Sequence, residues 1–432
     1  MTTTTNSRNK KEKNEEHRKT AAEELKWPAV PLSPMSGAVP WPPWRYRRLA
    51  GVAGVVAAYC CCLLLNKSND NNTANSTATS ATVSALVAAV VWDALLGQIP
   101  FRMHPVVLVG RLISRAQKLT PSELIYGSRP VRSFLCGVVL LIATVTLSVA
   151  STWIAVTASR AATGYAANRM PLMENAMIGF FPFLLEVMLT KSTLSAQLLC
   201  RVASQMANHL ERDRVEEGRV QLSWLCSRDA SSLRPDELAG GTLESLAENL
   251  SDGYVSPLFW YVLACVVCGT RHALLGAVFF RTVNTLDSRV GHRGQFEYYG
   301  KASARVDDVL NLAPARITAL LLAVAALAVP GCGVRSFRDG IRTAWQDASQ
   351  CDSPNAGWPM AVMAGALRVQ LEKRGQYNLG GAAADPPGPE DIRKGVVITQ
   401  IAGGLSAALS IAAVYYLDSN AAFSQYLRES SR

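Results

Sequence analysis

A chain of 432 residues has room for two soluble domains or one polytopic membrane domain with loops. It is 49% hydrophobic and only 18% charged, against about a quarter charged in ordinary soluble domains. That balance excludes disorder throughout, a collagen-like repeat and a small disulfide scaffold. The formal charge of +10 is unevenly placed: residues 1–48 hold ten Lys/Arg against five Asp/Glu.

In chain order, 1–48 reads as a disordered basic tail, too polar for a signal peptide. Its last arginines, Arg45, Arg47 and Arg48, abut an apolar run at Leu49–Leu65, as in an anchor held on the positive side. An Asn/Ser/Thr linker follows to about residue 80, with sequons at Asn66, Asn71 and Asn75. From 81 to 417 apolar runs alternate with connecting segments, and 418–432 is a C-terminal tail. Ser133–Ser159 has 27 residues without a charge, Gly395–Leu417 has 23, and Ile317–Val334 has 18. Ala81–Phe101 is interrupted only by Asp93. A helix needs roughly 20 apolar residues to cross the hydrocarbon, so these runs read as spans. Tyr254–Thr270 is a further uncharged run, complicated by Pro257. Strand-like alternation is scarce, so the expected class is all-α: a polytopic helical membrane protein with amphipathic or re-entrant helices. Counting crossings puts one motif-bearing segment on the wrong side, which requires at least one broken or re-entrant segment lining a cavity.

The ten cysteines are scattered, and Cys265–Cys268 lacks the second pair that a zinc site needs. Chemistry is concentrated in four other places. In Thr242–Gly253, Glu244, Glu248 and Asp252 recur every four residues, putting three carboxylates on one helical face. Like charges at that spacing repel, so a cation is the natural compensator. Asn284 and Asp287 precede a segment from Gly300 with Arg305, Asp307, Asp308, Asn311 and Arg316. If it is helical, Arg305 shares a face with Asp308, and Asp307 shares one with Asn311. Pro314 is expected to end that helix. Ser353-Pro-Asn355-Ala-Gly357 reads as a turn followed by a helix, which would present free amides to an anion. Asp93, within an apolar run, costs roughly 2.5–3.5 kcal/mol to insert and is functional by default. His104 follows it, and Arg228-Asp229 adds a charged pair. Neither a G-x-x-x-x-G-K-[ST] loop nor a strand-linked G-x-G-x-x-G is present.

Taken together, Asp93 with His104-Pro-Val-Val107, Arg228-Asp229, Glu244–Trp260, Asn284–Asp287, Gly300–Arg316 and Ser353–Gly357 with Met363–Leu367 resemble the adenosylcobinamide-phosphate synthase family of cobalamin biosynthesis. The resemblance runs from about Asp93 to Lys394. It implies joining of a corrinoid carboxylate, adenosylcobyric acid, to aminopropanol or its phosphate, with the acid activated by ATP. On that basis Glu244, Glu248, Asp307 and Asp308 are candidate catalytic groups. Asp252, Asp307 and Asp308 are the candidate Mg²⁺ ligands. Asp93, His104, Arg228, Asp229, Asn249, Asn284, Asp287, Arg305, Asn311, Arg316, Ser353 and Asn355 are assigned to substrate. The arginines among them, Arg228, Arg305 and Arg316, would bind anions.

The implied cofactors are Mg²⁺ and ATP; the implied partners are a corrinoid small molecule and membrane lipid, with no nucleic acid. Where the family turn is commonly preceded by a basic residue and a His, this chain has Gln346 and Cys351. Met360 replaces a usual Glu, and a Gly-Asp-Pro becomes Gly97-Gln-Ile-Pro100. Two other readings use the same residues: Mg²⁺-dependent intramembrane transfer to a phosphorylated or prenyl-diphosphate substrate, and a non-catalytic corrinoid-binding or transport protein.

Overall fold

Helices dominate the computed structural model, which describes residues 76–430 apart from 100–103, 126–128, 168–171, 227, 293, 295 and 382–383. The expected basic tail, first apolar run and sequons lie outside the described residues. In chain order the helices begin with α1 (Ser76–Leu95), α2 (Pro105–Leu119), α3 (Ser122–Ile125), α4 (Pro130–Ala167) and α5 (Leu172–Ser192). Then come α6 (Ala196–Glu211), α7 (Val215–Leu222), α8 (Pro235–Leu250), α9 (Ser256–Cys268) and α10 (Ala273–Val290). The last are α11 (Lys301–Leu310), α12 (Leu312–Ala326), α13 (Val334–Asp347), α14 (Gly357–Leu367) and α15 (Pro389–Ser430). A small antiparallel hairpin, β1 (Leu371–Lys373) with β2 (Tyr377–Leu379), is the one sheet among the described residues and was not foreseen in an all-α chain.

Three continuous helical stretches are long and apolar enough to cross a membrane: Pro130–Ala162, Pro235–Cys268 and Pro389–Asn420. Two bent pairs, Phe181–Ser192 with Ala196–Glu211 and Lys301–Leu310 with Leu312–Ala326, raise the number to five if each pair is one span. Exposed Val131, Leu135, Val139, Ile142 and Ile154 give α4 an apolar outer face suited to lipid. The chain is a multi-pass helical membrane protein. The last helix continues beyond Leu417 to Ser430, through the segment set apart as a tail.

Two prolines explain how the helices near the acidic residues are broken. The run Tyr254–Thr270 is not a separate element: α8 continues into α9 through a π-helical turn at Ser251–Val255. Pro257 has no N–H and would crowd the carbonyl four residues earlier, that of Gly253. The wider turn frees that carbonyl, which accepts from Ser195 N (3.0 Å) and Ser195 Oγ (3.2 Å) at the α5–α6 break. A Cβ on Gly253 would lie 2.4 Å from Ser195 Oγ, so the close approach needs glycine there. Consequently Glu244, Glu248 and Asp252 lie within one long helix instead of preceding a span.

Pro314 acts similarly but does not end α11. That helix stops at Leu310, and Pro314 sits in the first turn of α12, where its missing N–H costs nothing. The carbonyl of Leu310, four residues before Pro314, accepts instead from Trp260 Nε1 at 3.1 Å. The 49° bend at Asn311 follows.

The crossing-count problem dissolves in the α12–α13 hairpin. After the apolar run 317–334 the amphipathic α13 turns back against α14, and Asn355 Nδ2 donates to the Asp308 carbonyl at 2.6 Å. The segments 300–316 and 353–357 therefore share one end of the molecule despite the run between them. Gly365 permits the return, since a Cβ there would meet the Asp339 carbonyl at 2.5 Å.

Candidate functional site

The π turn and the bend at Asn311 meet over α10, and carboxylates from three separate helices converge there. Asn284 on α10 is the bridge: its Nδ2 lies 3.3 Å from Asp252 Oδ2 and 3.4 Å from Asp307 Oδ1. Asp307 Oδ2 accepts from Asn311 Nδ2 at 2.9 Å, as i,i+4 spacing predicts, and Asn311 Oδ1 accepts from Ser256 Oγ at 2.7 Å. Arg305 pairs with Asp308 at 3.6 Å, again as the spacing predicts. Asp307 is buried, whereas Glu248, Asp252, Asp287 and Asp308 are half-buried, leaving one side of the cluster approachable. Glu248 and Asp252 each feel the charge of Asp307, and Asp287 feels those of Glu248 and Asp308. Asp287, near the end of α10 and outside the spans, is pushed up to about 6 by burial first and then by Asp308 and Glu248.

The other end of the acidic face is built differently. Glu244 is buried, and its Oε2 accepts from Arg228 Nη2 at 2.6 Å. Arg228 Nη2 also donates to the Tyr377 hydroxyl at 3.3 Å, and that hydroxyl in turn hydrogen-bonds to Glu244. Glu244 Oε1 is buried without a partner. Lys373, on the same hairpin, lies within electrostatic reach of Glu244 and Glu248. Tyr377→Phe removes one hydrogen bond to a charged group, which predicts a fall in kcat/KM of roughly 10-fold with the helix content unchanged. Steady-state kinetics and circular dichroism on the same preparation check this; an unaltered kcat/KM assigns the hydroxyl no part in the reaction.

Asp93 is not free to meet substrate. Lys191 Nζ lies 2.9 Å from Asp93 Oδ1, and both side chains are essentially unexposed. The ammonium also donates to Gln98 Oε1 (3.1 Å) and to the Leu194 carbonyl (3.0 Å), so it has three acceptors. Asp93 Oδ2 accepts from the backbone N–H of Gln197, in the first turn of α6. This pair therefore fastens α1 to the α5–α6 break. Gln98 Nε2 donates to Leu194 O, so Gln98 Oε1 is the acceptor that His104 Nε2 faces at 3.3 Å. Burial, followed by the charges of Lys191 and Arg281, pushes His104 down to about 4. Its ring is neutral near pH 7, with Nδ1 a buried acceptor lacking a donor.

Several residues assigned to substrate do other work. Asp229 is exposed and accepts from Ser231 N at 2.9 Å, capping the turn before α8. Asn249 Nδ2 holds the Leu225 carbonyl at 3.3 Å. Ser353 Oγ accepts from the backbone N–H groups of Asn355 and Ala356, occupying amides that were expected to face an anion. Arg316 donates to Asn355 Oδ1 (2.7 Å) and to the Pro354 carbonyl (3.1 Å), with its guanidinium 5.0 Å from the Trp358 ring. The three arginines expected to bind anions are thus a partner of Glu244, an exposed partner of Asp308 and a strut for the turn at 353–357. Sequence reasoning missed Lys191, Arg281, Lys373 and Tyr377. Lys191 had a findable signal, being the cation nearest the end of an apolar run in a chain that also buries Asp93.

Of the departures, Met360 is packed in the core and Gln346 is exposed on α13, both without a part in the cluster. Cys351 is different. Its thiol feels Glu244 and Glu248, and burial with those charges pushes it up to about 12, so it is a protonated wall and not a nucleophile.

This arrangement lies inside the region matched by the family model described as CobD/Cbib protein, residues 86–407. The chain belongs to the CobD/CbiB family of cobalamin biosynthesis proteins. It is 33% identical over 330 residues to "Cobalamin biosynthesis protein CobD" of Dehalococcoides mccartyi, covering 76% of this chain and 96% of that one. The protein of the same name from Klebsiella pneumoniae is 31% identical over 339 residues, covering 76% and 97%. "Probable cobalamin biosynthesis protein CobD" of Methanothermobacter thermautotrophicus is 32% identical over 294 residues, covering 68% and 84%. No solved structure matches this chain.

Mg²⁺ can be tested against the donors present. Among the described residues no three His, Cys, Asp or Glu side chains enclose a metal position by themselves. Mg²⁺ does not require that, since it takes one or two carboxylates, keeps several waters and completes its shell with substrate phosphate. Asp252 and Asp307, hard oxygen donors on either side of one Asn284 amide, fit such an ion, with Asp308 beside them.

Proposed function

We propose that this protein forms an amide between the carboxylate of adenosylcobyric acid and aminopropanol or its phosphate, with ATP activating the acid. The observation that carries the reading is the gathering of Asp252, Asp287, Asp307 and Asp308 from three helices around Asn284. Like charges held so close are costly unless a cation or a bound substrate offsets them, which is the state expected of a phosphate-handling site awaiting its metal. Asp252 and Asp307 would hold Mg²⁺, whose charge would neutralise phosphoryl groups when both are bound.

The remaining work falls to this chain's own side chains. The attacking amine arrives as an ammonium and must lose a proton before its nitrogen can bond to the acyl carbon. Glu244 Oε1, buried and without a hydrogen-bond partner, is placed to take it. Arg228 and Tyr377 hold the other oxygen of Glu244 and fix the carboxylate's orientation. Lys373 would offset negative charge on the activated acid. The half-buried rim of the cluster admits a large substrate from one side, and the apolar core beneath excludes water.

Complementation of a host unable to make cobinamide tests the reading. Growth that depends on the corrinoid pathway is expected with the wild-type chain and is expected to vanish with Glu248→Gln. Failure to complement, with the protein present in the membrane and binding corrinoid saturably, would favour a binding or transport role instead.

A further inference from the structure

Five cations reach the acidic cluster or its rim, and four are occupied. Arg228 is held by Glu244, Arg305 by Asp308, Arg316 by Asn355, and Lys191 by Asp93 and two further oxygens. Arg281 differs. It stands on α10 one turn before Asn284, and its Nη1 donates only to the Asp252 carbonyl (3.2 Å) and to Asn284 Oδ1 (3.1 Å). Its Nε has no solvent contact and no hydrogen-bond partner, and no ion pair with a carboxylate is found for it among the described residues. A guanidinium in that position carries a full charge and an unused donor, shut away from water. The same atom group faces the Asp252–Asp307 pair across Asn284, opposite the donors that fit Mg²⁺.

We infer that Arg281 is the seat of a phosphoryl group, positioned so that one phosphoryl oxygen takes the free Nε–H while others face the Asp252–Asp307 side of the cluster. A phosphoryl group suits this place better than a carboxylate, because its three terminal oxygens can serve a guanidinium and a metal at once. The proposal rests on the amide-forming reading and deepens it by assigning a substrate-discriminating residue. Two sources share this chemistry, the phosphate of a phosphorylated amino alcohol and the phosphates of the nucleotide. Lys373, the other cation without an ion-pair partner among the described residues, lies by Glu244, eight residues or about 12 Å along the helix from Asp252. It serves as the charge-loss comparison.

The test uses the full chain in lipid nanodiscs, as wild type, Arg281→Gln, Arg281→Lys and Lys373→Gln. Binding of O-phosphoethanolamine, ethanolamine and a non-hydrolysable ATP analogue is measured calorimetrically without acid, and amide formation is measured separately with aminopropanol and its phosphate. For the amine source, Arg281→Gln should lower kcat/KM for the phosphorylated amine relative to the free amine by roughly 30- to 100-fold, with Arg281→Lys between and Lys373→Gln lowering both equally. For the nucleotide source, the same variant weakens the ATP analogue and leaves the amine ratio intact. Because each ratio is internal to one variant, a poorly folded preparation cannot imitate either result. Phosphoryl binding that depends on Arg281 without any amide product leaves this inference standing and removes the amide-forming reading. Amide formation with every phosphoryl affinity and ratio unaltered in Arg281→Gln overturns the inference alone.

Discussion

Asp307→Asn is expected to lower the turnover of amide formation by about 10²- to 10⁴-fold while leaving the protein folded. Asp307 is buried, accepts from both Asn284 and Asn311, and sits among Asp252, Asp287 and Asp308. The substitution keeps the side-chain volume and removes one of several mutually repelling charges, so stability should hold or rise even though an amide replaces an acceptor. Activity should not survive, because the charge is what a phosphate-bound Mg²⁺ would meet. Turnover and melting temperature measured on one detergent preparation separate the two effects. Wild-type turnover in Asp307→Asn removes this residue from the chemistry; lost turnover with a collapsed melting temperature assigns it to the fold instead.

The second large effect concerns folding. Asp93→Ala leaves the Lys191 ammonium in a fully buried place with only neutral oxygens, and breaking one partner of a buried pair typically costs about 3–5 kcal/mol. The paired replacement Asp93→Leu with Lys191→Met removes both charges, so most of that loss should be regained. Thermal unfolding of the single and double variants in the same lipid tests this. If Asp93→Ala unfolds like the wild type, the pair does not fasten the α5–α6 break and Asp93 returns to consideration as a substrate contact.

These two residues show where the sequence was informative and where it was silent. The i,i+4 spacing of Glu244, Glu248 and Asp252, and of Asp307 and Asn311, is a helical property and therefore legible from one strand of text. The expense of Asp93 in an apolar run was equally legible, but its partner was not. Lys191 lies 98 positions away, and nothing local ties it to α1. The same applies to Tyr377 and Lys373, which reach Glu244 on a hairpin too short to leave an alternating pattern. The two prolines were visible, but their consequences were not. Whether Pro257 and Pro314 stop a helix or redirect it depends on a neighbour able to satisfy the freed carbonyl, here Ser195 and Trp260. The arginines were misassigned for a related reason. A charge in a motif looks available until the structure reveals a partner, and Arg228, Arg305 and Arg316 all have one, whereas Arg281 stood outside every motif.

The most direct test is reconstitution of the purified full chain in lipid with adenosylcobyric acid, aminopropanol phosphate, ATP and Mg²⁺, followed by mass spectrometry of the corrinoid. The expected result is a product heavier than the acid by the amine less one water, formed only when all four components are present. Saturable binding of the acid with its mass unchanged after ATP, Mg²⁺ and amine are supplied would contradict the account.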